Sequence, residues 1–575
     1  MSLPVVSRPV ACLPVACLLA AGLAFLPGQG ISDAHAQPAP SITVTVDASA
    51  NQGPLPPIWN YFGYDEPNFT YSPNGEKLLR ELARINSATP IYSRTHNLFT
   101  TGNGEGSLKW GSTNAYTEDA SGNPVYDWTV VDRIFDTYKA AGVKPLVELG
   151  FVPEAMSTHP EPYRHNFPNG PVFTGWSYPP KDYEKWAKLV YAFAAHLRQR
   201  YGDAEVYTWL WEVWNEPDID YWHGSREEYW KLYDYSADAV LRALPGAKVG
   251  GPESTGPAND HAADFLRAFL EHCAHGKNAA TGATGAPLSF ISFHPKGSPK
   301  MINGHVRMGL ANQLNAIDRG FKIVAGFPEF AHTPIILGES DPEGCAACNA
   351  KQNPQNAYRN GPLFPTYTAV VLKGIYDLAR RDGVTFQGAV TWSFQFDNQP
   401  YFEGLRELAT NGIDKPVLNA FRMFGMMGAQ RIALESTGAK PLPDIQAEGV
   451  VDRPDVDGIA ARSGREVDVL LWNYHDDDVP APAADVELLI RGLGLAARKV
   501  TIRHFRIDRD HSNSFTAWQR MGSPQHPTPE QYAQLESAGH LDVLSPASVF
   551  AVRGGSVKLD VPLPRQALSL IRIDW

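Results

Sequence analysis

One alternation constrains this chain more than any other feature: between Ile58 and Phe424, eight short apolar runs are separated by amphipathic stretches of helical period. The runs are Ile58 to Phe62, Pro90 to Arg94, Lys144 to Leu149, Val206 to Trp214, Ala247 to Gly251, Phe290 to His294, Pro334 to Gly338 and Gly388 to Phe394. Each has the length and β-branched or aromatic content of a buried strand. The stretches between them include Gly75 to Ile85, Val130 to Ala141, Asp182 to Tyr201, Arg226 to Leu244, Asp260 to Cys273 and Tyr367 to Arg381. Eight strand-helix units predict an α/β protein built on a (β/α)8 TIM barrel rather than a doubly wound sheet. The 49 Gly and 47 Pro residues fit elaborate loops.

After Phe424 the texture changes to short alternating runs, such as Val467 to Tyr474, Val500 to Ile507 and Ala567 to Ile573, punctuated by Gly, Pro and Asp. This predicts an accessory C-terminal β-sandwich. Ser41 to Asp47 alternates in the same way and is expected to pair with it. At the other end, Arg8 precedes the apolar run Val10 to Leu26, and Ala34-His35-Ala36 offers a cleavage site. That is the pattern of a signal peptide, which predicts a secreted or periplasmic protein. The expected organisation is therefore 1–36 signal peptide, 37–54 N-terminal strand segment, 55–424 barrel and 425–575 sandwich. Cys12 and Cys17 leave with the signal. The spacing Cys345-Ala-Ala-Cys348 then predicts a small disulfide loop, since no second pair completes a zinc site.

In such barrels the chemistry collects where strands end, at their carboxyl termini. The second run closes on Arg94-Thr95-His96, the third on Glu148, the fourth on Asn215-Glu216-Pro217, the fifth on Glu253, the sixth on His294 and the seventh on Glu339. A carboxyl group facing a cavity with aromatic walls can be desolvated, as a general acid requires, which singles out Glu216 in Trp214-Asn215-Glu216-Pro217. Asn215 can bond a substrate hydroxyl beside the reacting atom. The second carboxylate is less determined by the residues: Glu339 ends a buried strand, and Glu253, Glu148 and Asp397 are rivals on the same rim.

The Asn-Glu-Pro after the fourth strand, the isolated Glu after the seventh, and the run from Tyr126-Asp127-Trp128 through Asp132 and Pro145 to Glu148 resemble glycoside hydrolase family 39. The resemblance covers the barrel and extends into the sandwich. It implies a retaining glycosidase in which Glu216 is the general acid/base and Glu339 the nucleophile. Double displacement would follow, with the two carboxyl groups about 5 to 5.5 Å apart. No metal or cofactor is expected. Arg94 is expected to orient the nucleophile and keep it ionised. His96, His294 and Trp392 are expected to contact the sugar, Trp392 by stacking under the ring. Lys296, Asp397 and Arg406 are expected near a C5 substituent, where Lys296 and Arg406 could pair with a uronate carboxylate.

The family holds β-D-xylosidases and α-L-iduronidases, whose substrates match at the first four ring carbons, so the C5 pocket decides between them. A secreted exo-acting β-D-xylosidase working on xylo-oligosaccharides is placed first. An α-L-iduronidase-like enzyme and a non-catalytic carbohydrate-binding protein are the alternatives. With 50 Lys+Arg against 62 Asp+Glu, a net charge of −12 argues against a nucleic-acid partner. No membrane partner is expected once the signal is removed, and association into a homo-oligomer stays open.

Overall fold

The strands predicted between Ile58 and Phe424 close into a parallel barrel in chain order. They are Tyr61–Tyr64, Tyr92–Thr95, Lys144–Leu149, Leu210–Val213, Lys248–Thr255, Phe290–His294, Ile335–Leu337 and Phe386–Trp392. The computed structural model describes residues 41–575 except 87, 107–110, 166–171 and 495–496, with backbone alone at 163–165 and 172–174. The signal segment expected over 1–36 lies outside the described residues. Residues 41–575 form one unit, and among them no helix is long and apolar enough to cross a membrane.

Helices pack outside the barrel because each carries one apolar stripe. Tyr183–Tyr201 is representative: Asp182 caps its start by accepting from the Glu184 and Lys185 amides, and Gly202 follows its end. Trp186, Leu189, Val190, Phe193 and Leu197 lie on its buried face. The next crossover helix, Arg226–Ala243, starts with a capping box between Ser225 and Glu228.

Most strand bounds shift by one to three residues from expectation, and two of the differences bear on the site. Residues Asp203–Val206 form a helical turn and only Leu210–Val213 is strand, because Gly202 releases the chain from one helix into another short turn. The fifth strand continues to Thr255 through an irregularity at Pro252/Ser254, and this extension carries Glu253 onto the rim.

The C-terminal region is a nine-stranded sheet into which the N-terminal strand Ile42–Pro54 inserts. That strand runs antiparallel to Gln430–Ser436 and parallel to Ala484–Arg491. Alternation gives each central strand two faces. Val467, Val469, Leu471, Ile571 and Ile573 join Val44, Val46, Leu488, Ile490 and Val561 in one apolar core that contains no helical residue. The sheet therefore folds over on itself as a sandwich. Leu470, Trp472, Leu568 and Leu570 point the other way, into the barrel's helices. The helices in this region, among them Ser514–Arg520 and Pro529–Gly539, were not expected. The caps of these two, Asn513 and the Thr528/Gln531 capping box, were legible signals for them. The predicted Cys345–Cys348 disulfide is formed.

Candidate active site

The barrel interior is stacked in layers. Tyr61, Leu146, Leu210, Phe290, Ile336 and Val390 fill one apolar layer. Two residues further along the inward faces of the second, third and fourth strands come Arg94, Glu148 and Glu212, all fully buried. The layer above, at the carboxyl ends, is formed by Asn215, Glu216, Glu253, His294 and Glu339. Trp214, Glu216 and Glu253 adopt left-handed backbone, with φ of 75°, 45° and 54°. Such strain in non-glycine residues concentrates at functional sites.

Glu216 and Glu339 face each other here. Together with His294 each offers a ligand atom within 4.8 Å of the others. Glu339 Oε1 accepts from Arg94 Nη1 at 3.2 Å and its Oε2 from Lys296 Nζ at 2.6 Å. His294 Nδ1 lies 3.0 Å from Glu216 Oε1 and 3.7 Å from Glu339 Oε1. Of the two carboxyl groups Glu216 is the more open, its side chain 14% exposed against 6% for Glu339.

Arg94 is the hub beneath them. Its Nε donates to Glu212, and its Nη2 donates to Asn215 Oδ1 at 3.2 Å while lying 3.1 Å from Glu148 and 3.6 Å from Glu253. One guanidinium cannot hold four buried carboxyl groups ionised, and the ionisation divides accordingly. For Glu148, burial outweighs Arg94 and pushes its carboxyl up to about 8; Glu212 is driven well above the carboxylate range in the same way. Both are thereby shifted toward the neutral acid. Burial also opposes the charge of Glu339, but Lys296, His294 and Arg94 overcome it and hold that group far below its ordinary value. Glu253, held by Arg94 and His294 against the same burial, is brought down to about 2. The result is one carboxylate kept ionised by three cations, opposite a second carboxyl group that reaches solvent.

Asn215 sits beside the pair, anchored by Arg94. His96 is buried, with Nε2 3.2 Å from Glu148 and its ring edge against Trp392. Trp392 is only 2% exposed. Its indole Nε1 donates to Asp65 at 3.0 Å, the Arg94 guanidinium lies 4.8 Å from its ring centre, and it packs over Gly63, where a Cβ would come within 2.3 Å of the ring. Asp397, half-buried on the loop after the eighth strand, accepts from Gln395 Nε2 at 3.2 Å.

Two expectations are corrected by these placements. Arg406 does not reach the rim: it is fully buried, donating to the Trp392 carbonyl at 2.8 Å and to Glu343, with Asp341 3.5 Å away. Its task is to tie the loop after the seventh strand to the eighth strand. His294 is not a wall for sugar either, because its ring is enclosed by carboxyl groups on both sides, Glu216 at Nδ1 and Glu253 at Nε2. Lys296 is where expected along the chain, but its ammonium is committed to Glu339 and to Asp341 Oδ2 at 3.0 Å.

The sequence reading missed Glu212, Asp65 and Asp341 as parts of the site. A charged residue inside an apolar strand run, as in Trp211-Glu212-Val213, was the available signal. The set Glu216, His294 and Glu339 has a spacing that could hold a cation. Arg94 and Lys296 already occupy both Glu339 oxygens, however, so the donor set suits proton chemistry rather than a metal.

A parallel barrel whose rim sets an ionised, cation-held carboxylate against a more open carboxyl group defines a glycoside hydrolase. Sequence comparison agrees: residues 42–554 match the family described as Glycosyl hydrolases family 39. The chain belongs to that family. It is 26% identical over 468 residues to a β-xylosidase of Geobacillus stearothermophilus, covering 79% of this chain and 82% of the relative. It is 27% identical over 428 residues to an α-L-iduronidase of Mus musculus, covering 68% and 62%. In fold it is similar to the crystal structure of a monomeric β-xylosidase from Caulobacter crescentus CB15, with a TM-score of 0.70 over 92% of this chain and 99% of that one at 23% identity.

Proposed function

We propose that this glycoside hydrolase is an exported, retaining, exo-acting β-D-xylosidase. The separation of Glu216 and Glu339 carries the mechanism, since their facing oxygens lie within 4.8 Å. Retaining enzymes hold their carboxyl groups about 5 to 5.5 Å apart, whereas inverting pairs leave room for a water. Glu339, ionised by Lys296, His294 and Arg94, attacks the anomeric carbon while Glu216 protonates the departing oxygen. In the second step Glu216 takes a proton from the water that displaces Glu339 from the sugar.

The commitment of the local cations supports a neutral pentose over a uronate. A uronate carboxylate needs a cation beside C5, yet Arg406 is buried behind Asp341 and Glu343, and Lys296 is spent on Glu339 and Asp341. The β-xylosidase relatives also cover more of this chain than the iduronidase, 79% and 72% against 68%. The α-L-iduronidase-like alternative rests on the iduronidase relatives, that of Mus musculus among them. Export is supported by the signal-like first 36 residues and by the Cys345–Cys348 disulfide, a bond that persists in oxidising compartments.

The test is a panel of nitrophenyl β-D-xyloside, nitrophenyl α-L-arabinoside and an α-L-iduronide, with the first-formed anomer followed by NMR. Turnover of the xyloside with net retention is expected. An inverted first product removes the mechanism, and a preference for the iduronide removes the substrate.

A further inference from the structure

The mechanism above gives one buried dyad no task toward Glu216. His294 and Glu253 have no exposed surface, yet they sit directly behind Glu216. His294 Nε2 is 2.8 Å from Glu253 Oε2, and its Nδ1 is 3.0 Å from Glu216 Oε1. The backbone reinforces the alignment. Glu216 N donates to the Glu253 carbonyl at 2.8 Å, and Glu253 N donates to the Ser292 hydroxyl at 3.1 Å. The seventh strand leaves the space for this contact. A Cβ on Gly338 would stand 1.8 Å from Glu253 Oε2 and 2.8 Å from His294 Nε2, so only glycine permits the dyad to close. Four segments of the barrel rim are thus shaped around one imidazole.

We propose that Glu253 and His294 form a positioning and proton-holding pair for Glu216, storing on His294 Nδ1 the proton that Glu216 delivers to the leaving group. This rests on Glu216 being the acid/base of a retaining pair. In the resting enzyme the imidazolium donates from Nδ1 to the Glu216 carboxylate and from Nε2 to Glu253. During the first step the bond from the anomeric carbon to the leaving oxygen breaks and its electron pair goes to that oxygen, which takes a proton from Glu216. The Nδ1 proton passes to Glu216, leaving neutral His294 with its proton on Nε2, still donated to the Glu253 carboxylate. The Glu339 carboxylate forms the new bond to carbon. In the second step water adds to that carbon and releases Glu339. One water proton goes to Glu216 and returns to Nδ1, so no proton is gained or lost over the cycle. Glu253 stays ionised throughout and fixes the tautomer.

The charges around the ring suit this task. On its own strand and beyond, His294 faces Lys296 two residues on; across from it lie Glu216, Glu253 and Glu339, with Arg94 below and Asp341 beyond Lys296. Burial and Arg94 disfavour the imidazolium, but Glu339, Glu216 and Glu253 prevail and push His294 up to about 9.

The experiment compares wild type, His294→Gln and Glu253→Gln in the full chain. The substrates are aryl glycosides of the sugar that the wild type hydrolyses, with leaving groups from phenol to 2,4-dinitrophenol. A proton-holding role predicts that His294→Gln moves the alkaline limb of kcat/KM down by at least about one pH unit. It also predicts a loss of about 10²-fold on the phenyl glycoside and much less on the dinitrophenyl one, which needs no acid. Glu253→Gln should act in the same direction. An unshifted alkaline limb with an equal loss on every leaving group overturns the proposal. Histidine ¹⁵N NMR of the wild type tests it independently of any variant's folding: a His294 ring already neutral at pH 6 overturns it. Inverted product, or Glu339→Ala with undiminished turnover, would defeat the retaining mechanism instead, so the two failures are distinct.

Discussion

The rim of the barrel and the interior of the C-terminal sheet are equally buried and chemically opposite. In the sheet, Val44, Val469, Leu488 and Ile573 are fully buried members of one apolar core. At the rim, Arg94, Glu148, Glu212, Glu253 and His294 are just as inaccessible, and are held together by charge and hydrogen bonds. The sheet gains its stability from dehydrating surface, at roughly 25 cal/mol per Å². The rim does the reverse, keeping groups out of water at an energetic cost so that they are ordered before substrate arrives. An apolar core can exchange one methyl for another; a charge cluster fails when a single member is removed.

The largest effect expected from that difference is catalytic. Glu339→Ala should lower kcat by at least about 10³-fold in the glycoside assay, with azide restoring turnover as a glycosyl azide of inverted configuration. Next, Arg94→Met should cost about 3 to 5 kcal/mol in denaturant unfolding, because it strands Glu253 and Glu339 without their shared cation. Leu488→Ala in the sheet core should cost about 2 to 5 kcal/mol while kcat stays unchanged, since its cavity opens far from the rim. If both substitutions damaged stability and rate alike, the contrast between the regions would be lost.

A subtler effect comes from Glu148. Its folded-state pKa of about 8 lies above the unfolded value, so it stabilises the fold fully below pH about 4.5 and loses that contribution as pH rises through about 8. Glu148→Gln should therefore flatten the decline of the melting temperature across that interval. The smallest effect is expected at the surface: Lys558→Ala breaks a pair with Glu487 that is largely in water, and should leave the unfolding midpoint unchanged.

The strands were legible because burial on both faces leaves short apolar runs, and Lys144–Leu149 and Phe290–His294 have the bounds read from the sequence. Glu216 and Glu339 were legible because each closes such a run. Arg406 misled, since a charged residue in a rim loop reads as a substrate contact until its partners Glu343 and Asp341 are seen. His294 misled for a related reason: a strand-end histidine has the chemistry of a sugar ligand, and only the fifth strand's extension to Glu253 shows the ring to be enclosed.

The sequence by itself determined the barrel, the folded-over sheet and the two strand ends that supply carboxyl groups, because these depend on periodicity and on the residue at the end of each run. The tertiary structure alone decided which buried acids are charged. Ionisation is set by distance to a cation and by exclusion of water, and the contacts that set it join residues as far apart in the chain as Arg94 and Glu339, separated by 245 positions.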